Sequence, residues 1–156
     1  MKSLTGLKII VTGGAGFIGS HIVDAMLSVG VKVTVVDNIS TGRIENLSSV
    51  RDQIEFIQGD ICDMELMKKA CAGAYAIVHQ AALPSVPKSI KFPIETHHAN
   101  VTGTLSVFEA AKLCGVDRVV YASSSSVYGD TPTLPKIETM RTSPLSPYAV
   151  HKHTGE

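Results

Sequence analysis

Five short apolar runs alternate with helical patterns along the chain. Residues 7–11 read as a strand buried on both faces. After Gly16, the residues Phe17, Ile18, Ile22, Val23, Met26 and Leu27 recur at helical spacing, and Gly30 ends that helix. Residues 31–36 form a β-branched run that stops at Asp37. A third short strand at 54–57 leads through Gly59-Asp60-Ile61 into a helix at 64–72, and a fourth strand covers 75–79. Pro84 and Pro87 are expected to keep the next segment out of helix. One long helix is expected over 94–113, with Val101, Leu105, Val107, Phe108, Ala111 and Leu113 giving apolar coverage on more than one side. Such a helix is buried or packs on a partner subunit. A fifth strand at 117–122 follows, then a proline-rich loop at 129–147, and Ser146-Pro147 reads as a helix start. Strands alternating with helices predict an α/β fold with a doubly wound parallel sheet, whose ligands sit at the carboxyl ends of the strands.

Composition narrows the function classes more than the fold. The 156 residues suffice for one domain, with 44% hydrophobic and 18% charged residues. A net charge of +0 gives no field that favours nucleic acid or an anionic membrane. No apolar run approaches the roughly 20 residues of a membrane span. The N-terminal Met1-Lys2-Ser3-Leu4-Thr5-Gly6 runs straight into the first strand, so no signal peptide is expected. Cys62, Cys71 and Cys114 form no CxxC, so a reduced, cytoplasmic setting and three small packing residues are expected. His97 and His98 are about 100° apart on a helix and cannot share a metal; no metal site is expected.

The candidate chemistry sits where strands end. After the first strand, Gly14-x-Gly16-x-x-Gly19 satisfies a dinucleotide fingerprint, and Gly13-x-x-Gly16-x-x-Gly19 is a wider reading of the same letters. Either turn points backbone N–H groups and a helix N-terminus at one spot, which attracts phosphate. Asp37 stands about 20 positions further on, where an acidic residue accepts hydrogen bonds from adenosine ribose hydroxyls and repels a 2′-phosphate. That favours NAD over NADP, although a turn aspartate beside Asn38 would look the same, and Arg43 could meet a phosphate or solvent. Asp60 is placed either at an adenine pocket or as a helix cap in competition with Asp63. The small residues after His79, Gln80-Ala81-Ala82, let a ligand approach the backbone, and Lys88 could touch an anion or simply be solvated. Asn100 is a polar residue of the kind that braces such a loop.

Ser123 to Ser126 follow the fifth strand and could hydrogen-bond a ligand hydroxyl. No Gly-x-Ser-x-Gly elbow occurs, so a hydrolase nucleophile lacks support. Tyr148 and Lys152 are at i and i+4 of the last helix, on one face. A free tyrosine, with a pKa of about 10, is a poor base at neutral pH. A nearby ammonium favours the phenolate; a depression of about three units needs roughly 4 kcal/mol. Lys152 together with a positive nicotinamide ring in a partly dry site could supply it.

The motifs Thr12-Gly13-Gly14-Ala15-Gly16-Phe17-Ile18-Gly19, Asp37-Asn38, Gly59-Asp60-Ile61, His79-Gln80-Ala81-Ala82, Ser124 and Tyr148-Ala149-Val150-His151-Lys152 resemble those of an extended short-chain dehydrogenase/reductase, in the NAD-dependent nucleotide-sugar epimerase/dehydratase family. The segments 85–90 and 121–130 resemble those of UDP-hexose 4-epimerases, leaning toward the type that accepts N-acetylated UDP-sugars. His151 departs from the threonine or serine often found inside YxxxK, without removing a catalytic atom. The resemblance implies that residues 1–156 are an NAD-binding Rossmann domain. It implies cofactor contacts at Gly13, Gly16, Phe17, Ile18, Gly19, Asp37, Asn38, Ser40, Gly42, Asp60, Ile61, Gln80, Ala81, Ala82, Asn100, Tyr148 and Lys152. Ser124, Tyr148 and Lys152 would be catalytic. Ser85, Ser124, Ser125 and Tyr148 would touch the nucleotide-sugar, a UDP-glucose or UDP-GlcNAc type substrate epimerised at C4 through a 4-keto sugar. A dehydratase or decarboxylase is the alternative chemistry, and a non-catalytic NAD-binding module the alternative class. Relatives in that family are about twice this length. The chain is therefore expected to be C-terminally truncated, holding the cofactor motifs without the substrate domain, and a homodimer through its long helix is possible.

Overall fold

The computed structural model describes residues 3–156. Met1 and Lys2, the start of the segment read as running into the first strand, lie outside the described residues. The strands are β1 (Lys8–Thr12), β2 (Lys32–Asp37), β3 (Ile54–Gln58), β4 (Ala76–His79) and β5 (Arg118–Tyr121). The helices are α1 (Phe17–Ser28), α2 (Met64–Cys71), α3 (Val86–Lys91), α4 (Pro93–His97), α5 (Gly103–Leu113) and α6 (Pro147–Thr154). All neighbouring strand pairs are parallel, in the order β3-β2-β1-β4-β5. The chain steps outward from β1 to β3, then returns to the other side of β1 as β4. The carboxyl ends of β1 and β4 therefore flank the switch point where such sheets open a crevice.

The apolar runs are continuous because both sheet faces are covered. Ile10, Val36 and Ile77 enter one core with Met67 of α2 and Val107 and Ala110 of α5. Their strand neighbours Ile9, Val11, Val33, Val35 and Val78 enter the opposite core with Val23 of α1 and Leu47. Alternation across the pleat thus feeds two cores from one set of strands.

One expectation is corrected. Pro87 does not exclude helix: α3 starts at Val86, with proline in its first turn, where the missing N–H would be unpaired anyway. The long helix expected over 94–113 is present as α4 and α5, joined without a break through a π-helical turn at His98–Thr102. A 3₁₀ segment at Ile44–Gln53, which carries no strong apolar period, links β2 to β3. The choice between Asp60 and Asp63 resolves cleanly. The Asp63 carboxylate caps α2 by accepting from the Glu65 and Leu66 N–H groups, while Asp60 is left free of that duty.

Candidate active site

A cleft of about 640 Å³ opens at the carboxyl ends of the strands, a size suited to a small-molecule site. Its floor is the glycine turn after β1. Gly13 has φ +68, and a Cβ there would lie 2.6 Å from the Ala81 nitrogen. A Cβ on Gly19 would strike the Gly13 carbonyl oxygen. Gly13, Gly16 and Gly19 line the cleft, whereas Gly14 faces Val35, 2.7 Å from where its Cβ would be. The wider glycine reading is therefore the one that shapes the floor. Gly16 precedes α1 without any side-chain cap, and the first turn of α1 has no acidic residue. Its first N–H groups are free to meet an anion. This cradle, closed to any added side chain, fits a dinucleotide phosphate.

One end of the cleft is acidic. Asp37 is 7% exposed; its Oδ2 accepts from the Ala15 N–H at 3.0 Å and its Oδ1 from the Ile39 N–H at 2.8 Å. Each oxygen keeps acceptor capacity toward the cleft. Ile39 takes φ +58 there, a conformation costly for a β-branched residue. The Asp60 Oδ2 accepts from the Asn38 amide at 3.1 Å and its Oδ1 from the Cys62 N–H at 2.9 Å. Burial works against the Asp60 charge, but these donors prevail and hold its pKa below the ordinary value. Phe17, Ile18, Asn38, Ser40, Gly42, Ile61 and the Gln80–Ala82 backbone complete the walls expected from sequence. Arg43 is exposed and off the wall. Lys88 does line it, paired with Glu95 at 3.2 Å.

The other end holds Tyr148 and Lys152, both on the cleft wall. Ser146 caps α6 through the Ala149 N–H at 3.1 Å. The Tyr148 N–H is taken by the Ser89 hydroxyl of α3 at 3.0 Å, a tie that sequence pattern does not reveal. Lys152 is 4% exposed; its Nζ donates to the Ala122 carbonyl at 2.7 Å and lies 5.0 Å from the Tyr121 ring centroid. An ammonium has three donors, so two remain for the cleft. Ser124 Oγ accepts from the Ser126 hydroxyl at 2.8 Å and from the Ser126 N–H at 3.2 Å. Its own hydrogen is left to point at the Tyr148 phenol, where it favours the phenolate.

The protein groups by themselves do not supply the expected phenolate. Burial raises the Tyr148 pKa, and Ser124 offsets that only in part. Lys152 is itself pushed down to about 8 by burial. The protein groups alone therefore leave the phenol protonated at neutral pH. The Lys152 shift has a measurable sign. Between about pH 8 and its unfolded value near 10.5, the unfolded chain holds a proton that the folded chain has lost. The stability of the parent relative to Lys152→Met is expected to rise through that window and to be flat below pH 8, as read by denaturant titration at several pH values.

Asn100 is also corrected. It is 2% exposed, yet both ends of its amide are spent on Leu83: Oδ1 accepts from the N–H at 2.7 Å and Nδ2 donates to the carbonyl at 3.2 Å. It braces the loop, as its polar character suggested, and does not reach the cleft. Ser85, Ser124 and Ser125 are likewise off the wall, where Ser123 stands instead: Ser85 is the cap of α3 through the Lys88 N–H, and Ser124 caps the turn at Ser125–Tyr128. Among the described residues, no group of three or more His, Cys, Asp or Glu is placed to hold a metal, and no helix is long and apolar enough to cross a membrane.

Comparison with known proteins converges on one family. The family model described as NAD dependent epimerase/dehydratase matches residues 9–156. The chain is 43% identical over 154 residues to a UDP-glucose 4-epimerase of Mycolicibacterium smegmatis, covering 96% of this chain and 49% of that protein. It is similar in structure to a UDP-N-acetylglucosamine 4-epimerase from Methanobrevibacter ruminantium solved with UDP-N-acetylmuramic acid, with TM-score 0.92, 38% identity, and coverage of 97% and 49%. A dTDP-glucose 4,6-dehydratase from Streptomyces venezuelae, solved with NAD bound, is also similar, with TM-score 0.91, 36% identity, and coverage of 96% and 49%. The chain thus spans about half the length of these relatives. The match runs through the glycine cradle, the acidic β2 end and the Tyr/Lys pair, and the chain belongs to the NAD dependent epimerase/dehydratase family.

Proposed function

We propose that residues 1–156 are the NAD-binding domain of a nucleotide-sugar 4-epimerase acting on a UDP-hexose of the UDP-glucose or UDP-GlcNAc type. The observation that carries this reading is the single cleft with Asp37 and Asp60 at one end and Tyr148 and Lys152 at the other. The cofactor is NAD. The cradle at Gly13, Gly16 and Gly19 would hold its pyrophosphate, Asp37 an adenosine ribose hydroxyl, and Lys152 the nicotinamide-side ribose. Bound NAD supplies a hydride acceptor for sugar C4 and a cationic ring whose charge favours the Tyr148 phenolate.

The side chains handle the proton. Tyr148 takes it from the sugar 4-hydroxyl as that carbon is oxidised and returns it as the 4-keto sugar is reduced on its other face. Ser124, whose two acceptor sites are filled by Ser126, spends its one hydrogen on the Tyr148 phenol and so supports the phenolate that takes the proton. Lys152 keeps its positive charge below about pH 8, in reach of the nicotinamide-side ribose it would hold.

A second reading is a 4,6-dehydratase, favoured by the similarity to the Streptomyces enzyme. Dehydration would use an acidic residue beside Ser124, whereas Ser125 and Ser126 stand there. Incubation of the purified protein with UDP-glucose, UDP-GlcNAc and dTDP-glucose separates the readings. The proposal expects the 4-epimer of a UDP-sugar. Accumulation of a 4-keto-6-deoxy sugar supports the dehydratase. Protein that carries NAD yet converts none of the three is a binding module.

A further inference from the structure

His79, the last residue of β4, is 1% exposed and has both ring nitrogens engaged. Its Nδ1 lies 2.7 Å from the Thr12 hydroxyl of β1, and its Nε2 lies 3.0 Å from the Thr104 hydroxyl of α5. The Thr104 hydroxyl also lies 2.6 Å from the Asn100 carbonyl, to which it donates. Thr104 has one hydrogen. Once it is spent on Asn100, Thr104 Oγ1 can only accept from His79, so Nε2 carries the ring hydrogen. Nδ1 is then an acceptor, Thr12 donates to it, and the Thr12 oxygen is left to accept from the Ala81 N–H at 3.3 Å. The opposite tautomer leaves two lone pairs facing each other, either at Nε2 or at the 2.6 Å contact with Asn100. In so dry a site that is costly.

We propose that His79 is a positioning residue, locked as its Nε2–H tautomer, in a one-directional hydrogen-bond chain that donates from the Ala81 N–H through Thr12, His79 and Thr104 to the Asn100 carbonyl and fixes the backbone of residues 81–83. Both ends of the chain reach the cleft edge. Thr12 holds the Ala81 N–H, and Asn100, tied to Thr104 through its carbonyl, clamps Leu83 at both polar groups. Ala81 is the residue whose nitrogen approaches the Gly13 position most closely, so its place sets the width of the cradle.

The groups around the ring keep it from titrating. Thr12 faces it from β1, Thr104 and Phe108 from α5, Tyr121 from β5 and Lys152 from α6. None of these offers a negative charge. Burial first, then the Lys152 ammonium, pushes the His79 pKa down to about 3.

The test uses the purified protein with ¹⁵N-labelled histidine. The six histidines give separable ring signals, and His79→Gln identifies the set that belongs to position 79. The expected result is an Nε2–H pattern at position 79 that is unchanged from pH 8 to pH 5. An Nδ1–H pattern, or protonation within that range, overturns the proposal. A second arm removes the chain's turning point. Thr104→Val is expected to speed amide hydrogen exchange at Ala81 and Leu83 about tenfold, while Thr104→Ser restores the parent rates. Equal exchange in all three proteins overturns the positioning role. NAD affinity, which rests on the cofactor reading above, is expected to fall about tenfold in Thr104→Val. Neither the tautomer nor the exchange readout depends on the cofactor, so failure of the NAD reading would be seen separately.

Discussion

Replacing Tyr148 with phenylalanine is expected to lower nucleotide-sugar turnover about a thousandfold while leaving bound NAD in place. The change deletes one oxygen. The α6 helix keeps its caps, because Ser146 holds Ala149 and Ser89 holds the Tyr148 backbone rather than its ring. Lys152 keeps its Ala122 partner, so a ribose contact there would survive. What disappears is, among the described residues lining the cleft, the only phenol, the group proposed to accept and return the proton of the sugar 4-hydroxyl. Ser124 cannot replace it, since an aliphatic hydroxyl flanked by Ser126 is a donor here and a far weaker acid. Turnover and cofactor content measured on the same preparation check the expectation. Turnover equal to the parent would remove Tyr148 from the mechanism.

The second large effect is expected at the glycine turn. Gly13→Ala is expected to destabilise the protein by about 3 kcal/mol and to weaken NAD binding about a hundredfold. Two causes add. A Cβ at φ +68 costs about 1–2 kcal/mol by itself. The same Cβ would also stand 2.6 Å from the Ala81 nitrogen and 2.9 Å from the Gln80 carbonyl carbon, which are backbone atoms that no rotamer can move aside. Opening that gap pushes β1 and β4 apart at the point where the phosphate would lie. Gly73 provides the control, with φ +69 and open space around it. Gly73→Ala is expected to cost only the backbone part, about 1 kcal/mol, with NAD affinity unchanged. Melting curves and NAD titrations of both variants separate the causes. If the two variants behave alike, the close approach at Gly13 contributes nothing.

Features set by local pattern were legible in the sequence, and features set by distant partners were not. The five strands could be read because Ile9, Ile10 and Val11 serve two cores and so leave an unbroken apolar run. The acidic end could be read because Asp37 closes such a run. Asn100 stood out as a loop brace from its polarity within an apolar segment, but its partner Leu83 and its distance from the cleft needed the fold. The burial that raises the Tyr148 pKa and lowers that of Lys152 could not be read, because it is set by elements far from α6 in sequence. Pro87 was misread because a proline is a helix breaker or a helix starter according to where the first turn falls. The His79 chain links β1, β4 and α5 through residues far apart in sequence. A histidine ending an apolar strand was its one visible sign.

Titration of cofactor-stripped protein with NAD and NADP tests most directly whether this cleft holds NAD through a glycine cradle and an acidic β2 end. The expected result is one NAD per chain, with NADP at least about a hundredfold weaker because its 2′-phosphate would meet the buried Asp37 carboxylate. NADP binding as tightly as NAD, or no binding of either, would contradict the NAD reading.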